Sequence, residues 1–144
     1  IAYDPYADDA TVSLEELLDR SDVVSMHAAV TAETTGIIGA EQFAAMRPGA
    51  FFLNTARAQL HDTDALVDAL ARGHLGGAAL DHFVGEHLPA DHPLVSMPNV
   101  ILTPHIGGAT WDTESRQATM VADDLARLVA GQRPDHVVNP EVLT

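Results

Sequence analysis

The amino-acid sequence predicts an α/β fold built on a parallel, doubly wound sheet. Three observations carry that expectation. Apolar runs at residues 22–26, 50–53, 75–80 and 100–102 have the length of buried strands. Between them, apolar residues recur at three- and four-residue spacing, as in helices with one buried face. Gly, Pro or a capping residue marks each join, and strands that alternate with helices in this way pair in parallel through crossovers.

The elements follow in order. Residues 1–3, Ile-Ala-Tyr, read as the end of a strand that places Asp4 at its carboxyl tip, although Asp4-Pro5 by itself is turn chemistry. Ser13 and Glu16 form a capping box, and Leu14, Leu17 and Leu18 form a stripe, so a helix is expected over residues 13–20. The run 22–26 is expected to be a buried strand ending at His27. Residues 40–46 make a short helical stretch, which Arg47-Pro48-Gly49 breaks before the strand at 50–53. Asp62 or Thr63 caps a helix with Leu66, Val67, Leu70 and Ala71 on one face, and Gly73 ends it. Two strands, at 75–80 and 100–102, come next. Thr110 opens the longest helix, with Trp111, Ala118, Ala122, Leu125 and Val129 expected to face inward, and Gly131 closes it. Trp111 is expected to serve the core or a dimer contact.

Composition narrows the function. At 144 residues the chain is long enough for one domain with a core. With 21 acidic against 7 basic residues its formal charge is −14, which disfavours nucleic acid and acidic membrane surfaces as partners. Cysteine is absent, so disulfides and thiolate metal sites are excluded. No apolar run approaches the roughly 18 residues of a membrane span, and a soluble, cytoplasmic protein is expected. The chain opens at Ile1 with no initiator Met and only a short strand-like run, and is expected to be a piece of a longer polypeptide.

The chemistry concentrates at residues 80–108, LDHFVGEHLPADHPLVSMPNVILTPHIGG. Glu86 and His105 each follow a strand-like run on separate loops. A carboxylate bonded to one imidazole nitrogen fixes the tautomer and leaves the other nitrogen to exchange a proton with substrate. Upstream, Asn54-Thr55-Ala56-Arg57 closes another apolar run and puts Arg57 at the carboxyl end of a neighbouring strand, the edge where open α/β sheets bind ligands. An arginine there presents a planar fork suited to a carboxylate. His82, His87 and His92, interspersed with Glu86 and Asp91, raise a metal alternative. Their five-residue spacing does not bring ligands to one helical face, so no metal site is expected.

Asn54 to Arg57, then LDxFxxE from Leu80 to Glu86, then LTPHIGG from Leu102 to Gly108 together resemble the D-isomer-specific 2-hydroxyacid dehydrogenases, the group that includes phosphoglycerate dehydrogenase. The resemblance covers nearly the whole chain. It implies a Rossmann-like domain and hydride transfer between NAD(H) and a small D-2-hydroxy or 2-oxo acid, phosphoglycerate-like substrates included. It assigns Arg57, Glu86 and His105 to catalysis, His105 as the base in oxidation and the acid in reduction. Asp4 falls to the adenosine ribose, where its charge favours NAD over NADP. The resemblance also places Ala28, Thr55, Ala56, Arg57, Asp81, His105, Gly107 and Gly108 along the cofactor, and it implies a homodimer. No G-x-G-x-x-G occurs in the chain. Residues 1–131 therefore read as the second part of a dinucleotide-binding domain, incomplete at its amino end, and residues 132–144 as a tail returning toward a substrate domain. Ala29, Ala58, His82 and His87 stand where this family usually has Pro, Gly, Val and Pro. A competing expectation is a non-catalytic NAD-sensing module of the corepressor type, since fold does not fix function. A formate dehydrogenase-like activity is disfavoured, because that branch carries glutamine where this chain has Glu86.

Overall fold

Four short strands, β1 (Val23–Met26), β2 (Phe51–Asn54), β3 (Gly77–Leu80) and β4 (Val100–Leu102), form one parallel sheet in the order β1-β2-β3-β4. The computed structural model describes residues 1–8 and 10–143. Helices α2 (Ala40–Ala45), α3 (Thr63–Ala71) and α4 (Pro93–Ser96) occupy the connections, while α1 (Leu14–Arg20) precedes β1 and α5 (Trp111–Val129) follows β4. The chain divides into two compact units, Ile1–Ile106 and the residues from Gly107 onward.

Local chemistry sets the helix starts in the first unit. The Ser13 hydroxyl accepts from the Glu16 amide at 3.1 Å, so Ser13 caps α1 as expected, while the Glu16 carboxylate pairs with Arg20 and does not complete the capping box. At α3 the cap is Asp62, whose carboxylate accepts from the Ala65 amide at 3.0 Å. The helix α4 has no apolar periodicity to announce it. It forms because Pro93 fits the first helical position and the His92 ring accepts from the Leu94 amide at 3.3 Å.

Burial in β1 and β2 alternates, as on a sheet with one covered face. Val24, Phe52, Ala78 and Leu80 join Leu18, Ile38, Phe43, Leu60, Leu66 and Leu94 in a single apolar core. Phe43 and Phe52 meet edge-on, with ring centroids 5.1 Å apart. The opposite side of the sheet leaves Val23, Phe51 and Ile101 exposed. The fully buried strand expected at 22–26 is therefore half-buried in this chain.

Two further expectations are corrected. Residues 1–3 do not join the sheet. Their hydrogen bonds go to a local partner, Ala2 O accepting from Thr11 N at 2.9 Å and Val12 N at 3.2 Å. Helix α5 does carry an apolar stripe, yet it has no buried residue, and Trp111 and Val129 are 87% and 90% exposed. Its unit supplies only a short tail, and that tail attaches through polar groups. Asp124 accepts from the Asp135 and His136 amides at 2.8 and 3.2 Å, and Arg127 pairs with Asp135 at 2.9 Å. These bonds hold the Asp124 carboxyl below its ordinary range.

Close approach of β3 to its neighbours requires glycine. A Cβ on Gly77 would stand 2.5 Å from the Asn99 carbonyl oxygen and 3.2 Å from the Phe51 ring. Because a backbone oxygen cannot swing aside, Gly77→Ala is expected to cost about 1–3 kcal/mol, read as a lower urea midpoint. An unchanged midpoint would mean that β3 and β4 separate without penalty.

Candidate active site

The parallel register aligns Met26, Asn54, Leu80 and Leu102 across the sheet, so the loops that follow β1 to β4 leave from one carboxyl edge. This juxtaposition brings three sequence-distant motifs to one side of the molecule. Each loop is then shaped by a polar side chain at or just after the strand end.

After β2 the organiser is Asn54, only 1% exposed. Its Oδ1 accepts from the Ala56 and Arg57 amides at 3.0 and 3.2 Å, and its Nδ2 donates to the Arg57 carbonyl at 2.8 Å and to His61 Nδ1 at 2.9 Å. One amide thus saturates the turn, leaving Thr55 and Arg57 exposed and Ala56 half-buried. The Arg57 guanidinium folds back, Nη1 donating to the Ala56 carbonyl at 2.5 Å. No ion pair joins it to Glu86 among the described residues.

After β3 the organiser is Asp81, 3% exposed. Its Oδ1 accepts from the Thr103 hydroxyl at 2.5 Å and from the Ile106 amide at 2.9 Å. Asp81 therefore brackets the loop containing His105 from both sides and sets where the imidazole stands. A short 3-10 turn, Val84–Glu86, carries the acid.

The pair expected from the sequence is made: His105 Nδ1 and Glu86 Oε2 lie 3.0 Å apart. Both residues sit in the left-handed backbone region, Glu86 at φ 56° and His105 at φ 55°, and no other non-glycine residue described does so. Side chains with a Cβ pay about 1–2 kcal/mol to adopt that conformation, and such strain concentrates at functional sites. Sequence reasoning missed the place of His82 beside this pair. It is 4% exposed, and its ring centroid lies 3.8 Å from that of His105. The histidine grouping considered from sequence is regrouped here: His92 caps α4 and His87 is exposed, while His82 joins Glu86 and His105.

Next to β1 a groove of about 1040 Å³ is lined by Asp4, Met26, Ala28, Ala29, Thr31 and Ile37 among others. Asp4 makes the expected turn, Oδ1 accepting from the Tyr6 amide at 2.9 Å, and it also lines this groove. The Tyr6 hydroxyl donates to the Glu33 carboxylate, and that carboxylate keeps the phenol above its ordinary range. Gly107 and Gly108 belong to the second unit, in the exposed turn that leads into α5, where the Thr110 amide donates to the Gly108 carbonyl at 3.0 Å.

Parallel strands joined by helices, with polar groups gathered at the carboxyl edge, define the Rossmann-like class of nucleotide-binding domains. Residues 1–107 match the family model for the NAD-binding domain of D-isomer specific 2-hydroxyacid dehydrogenases, and the chain belongs to that family. A glyoxylate reductase of Thermofilum pendens is 45% identical over 130 residues, which is 90% of this chain and 38% of the relative. A glyoxylate/hydroxypyruvate reductase B of Pectobacterium atrosepticum is 44% identical over 130 residues, 90% of this chain and 41% of the relative. The chain thus spans about two-fifths of the length of these curated relatives. Among solved structures, the NAD-complexed D-isomer specific 2-hydroxyacid dehydrogenase of Lactobacillus delbrueckii ssp. bulgaricus superposes with a TM-score of 0.89 at 31% identity, covering 95% of this chain and 48% of that one. The TT0316 protein of Thermus thermophilus gives 0.84 at 45% identity, over 94% and 43%.

Proposed function

We propose that the protein of which these residues form the cofactor-binding part is an NAD-dependent D-2-hydroxyacid dehydrogenase that reduces a small 2-oxo acid. The observation that carries this reading is the Glu86–His105 pair, held on two strained residues at the carboxyl edge of the sheet. The names of the relatives favour glyoxylate or hydroxypyruvate over a phosphoglycerate-like substrate. We read residues 1–131 as the second part of the dinucleotide-binding domain and residues 132–144 as its tail. Cytoplasmic location and a homodimer, the latter implied by the family resemblance, complete the reading.

The residues present suit the cofactor. Asp4 supplies an acceptor for ribose hydroxyls at the lip of the groove, and Ala28 leaves room beside it. By family resemblance Thr55 and Ala56 fall to the cofactor side of the turn after β2, Asp81 to the nicotinamide end, and Gly107 and Gly108 to the nicotinamide wall. When bound, NADH supplies the hydride.

The remaining steps belong to this chain's own side chains. With its Nδ1 facing the Glu86 carboxylate, His105 keeps Nε2 for substrate. In reduction, protonated His105 delivers that Nε2 proton to the ketone oxygen as the carbon gains hydride, and in oxidation the neutral ring takes it back from the hydroxyl. Arg57 turns from the Ala56 carbonyl to hold the substrate carboxylate in its fork.

Steady-state reduction of glyoxylate and hydroxypyruvate by the intact protein with NADH tests the reading, and absence of turnover on any small 2-oxo acid would overturn it. Arg57→Lys keeps the charge but loses the paired donors. It is expected to lower kcat/KM for the 2-oxo acid by about 10–100-fold, the worth of one charge-assisted hydrogen bond. An unaltered kcat/KM would assign carboxylate recognition to another residue.

A further inference from the structure

One imidazole at the site has no task in the hydride-transfer scheme. His82 lies at the mouth of the loop after β3, almost wholly buried, and its Nδ1 has no hydrogen-bond partner among the described residues. A buried polar ring without a partner is costlier than an apolar side chain of similar size, so polar satisfaction does not account for its placement. Its ring stands against His105, the planes crossing at 60°. One ligand atom each from His82, Glu86 and His105 lie within 4.8 Å of one another.

We propose that His82, Glu86 and His105 form a binding site for a zinc-class divalent ion, which occupies the same imidazole and carboxylate that the reaction uses. Two imidazoles and one carboxylate are the donors that such ions prefer, and three protein ligands leave a coordination position open. Ligands on a tetrahedral zinc stand roughly 3.3 Å apart, given bonds of about 2.0–2.1 Å. The widest pair must therefore draw together by up to roughly 1.5 Å. That movement is available, because the His105 and Glu86 side chains are 44% and 60% exposed. The surplus of acidic residues, with a formal charge of −14, raises the local concentration of cations. His87 and His92 take no part: His92 is committed to the α4 cap, and His87 lies outside the cluster. The binding itself does not depend on the dehydrogenase reading. Only its consequence does, that the ion removes the proton-exchanging group from service.

Calorimetric titration of the intact protein with zinc chloride in a non-coordinating buffer tests the site. One equivalent is expected to bind, with magnesium at the same concentration failing to compete, since that ion prefers oxygen ligands and retains its water. His82→Val should weaken binding by more than about tenfold, because even residues that merely orient metal ligands are worth that much. His87→Gln should leave it unchanged. In the unmutated chain, the imidazole resonances of His82 and His105 should shift with the first equivalent of zinc while those of His87 stay in place, a measurement that stands even if His82→Val fails to fold. No stoichiometric binding, equal affinity in His82→Val, or equal competition by magnesium overturns the site. Because heat and resonances are read instead of turnover, a negative result leaves the dehydrogenase reading standing. Loss of that reading likewise leaves the metal measurement valid.

Discussion

His105→Ala in the intact protein is expected to lower kcat for glyoxylate reduction by about 10²–10⁴-fold, the usual worth of a positioned acid or base, with NADH affinity little changed. Among the described residues, the other titratable groups beside His105 are committed elsewhere or buried. Glu86 is tied to His105 Nδ1, and Asp81 is engaged by Thr103 and the Ile106 amide. The imidazole of His82 is buried, and its Nδ1 has no hydrogen-bond partner among the described residues through which a proton could pass. Stopped-flow measurement of NADH oxidation separates the chemical step from product release. Glu86→Gln makes a useful companion, because an amide oxygen still accepts from Nδ1–H while carrying no charge. A smaller loss in Glu86→Gln than in His105→Ala assigns the carboxylate mainly to orientation, and equal losses assign it to charge. A kcat within about threefold of the unmutated enzyme in His105→Ala would remove the histidine from proton transfer, against the loss of two orders or more that the role demands. If the intact protein binds NADH and turns over no 2-oxo acid, the sensing-module alternative replaces the enzyme.

The features that were legible in the sequence are those whose cause is local. Ser13 and Asp62 cap helices through bonds to amides three residues away, and period and punctuation located all four strands. The Glu86–His105 contact spans 19 residues, yet it was readable because each residue lies on a loop that follows a strand-like run in a parallel sheet, where strand ends converge. What sequence concealed was set by tertiary contacts. Residues 1–3 look like a strand by composition, but the Ala2 backbone bonds to Thr11 and Val12 instead. The stripe on α5 has helical period, but period reports the capacity to bury a face and does not supply the surface that covers it. The left-handed backbones of Glu86 and His105 had no signal, because such conformations ordinarily advertise themselves as glycine or asparagine. His82 was visible as a departure from the family pattern and as one of three histidines considered for a metal, but its place beside His105 was not, since that relation is made across two strands. Asn54 could have been read more fully: an Asn at a strand end is turn-forming, and here it shapes the whole Arg57 loop.

That loop also makes the fold sensitive to acid. His61 is 6% exposed, and burial lowers its pKa to about 4, outweighing the opposing attraction of Asp62. Asn54 Nδ2 already donates to the Arg57 carbonyl and must donate to His61 Nδ1, so the ring is held neutral with its proton on Nε2, an atom with no partner among the described residues. Protonation would put a hydrogen on Nδ1, the ring's second, facing the Asn54 amide donor. Since the unfolded chain takes up this proton near its ordinary pKa of about 6.5 and the folded chain near 4, the unfolded state binds more protons throughout that interval. The contribution is therefore fully present above about pH 6.5, falls as the pH drops, and is gone below about pH 4, amounting to about 3 kcal/mol across the window. Urea unfolding followed by circular dichroism, compared between the unmutated chain and His61→Gln, isolates it from the carboxylates. A glutamine oxygen can accept from Asn54 in place of Nδ1 and does not titrate, so His61→Gln is expected to lose less stability between pH 7 and pH 4 by about that amount. Parallel pH profiles for the two proteins, or an imidazole that titrates near 6.5 in the folded chain, would show that His61 accepts a proton in place and that the Asn54 turn opens without cost.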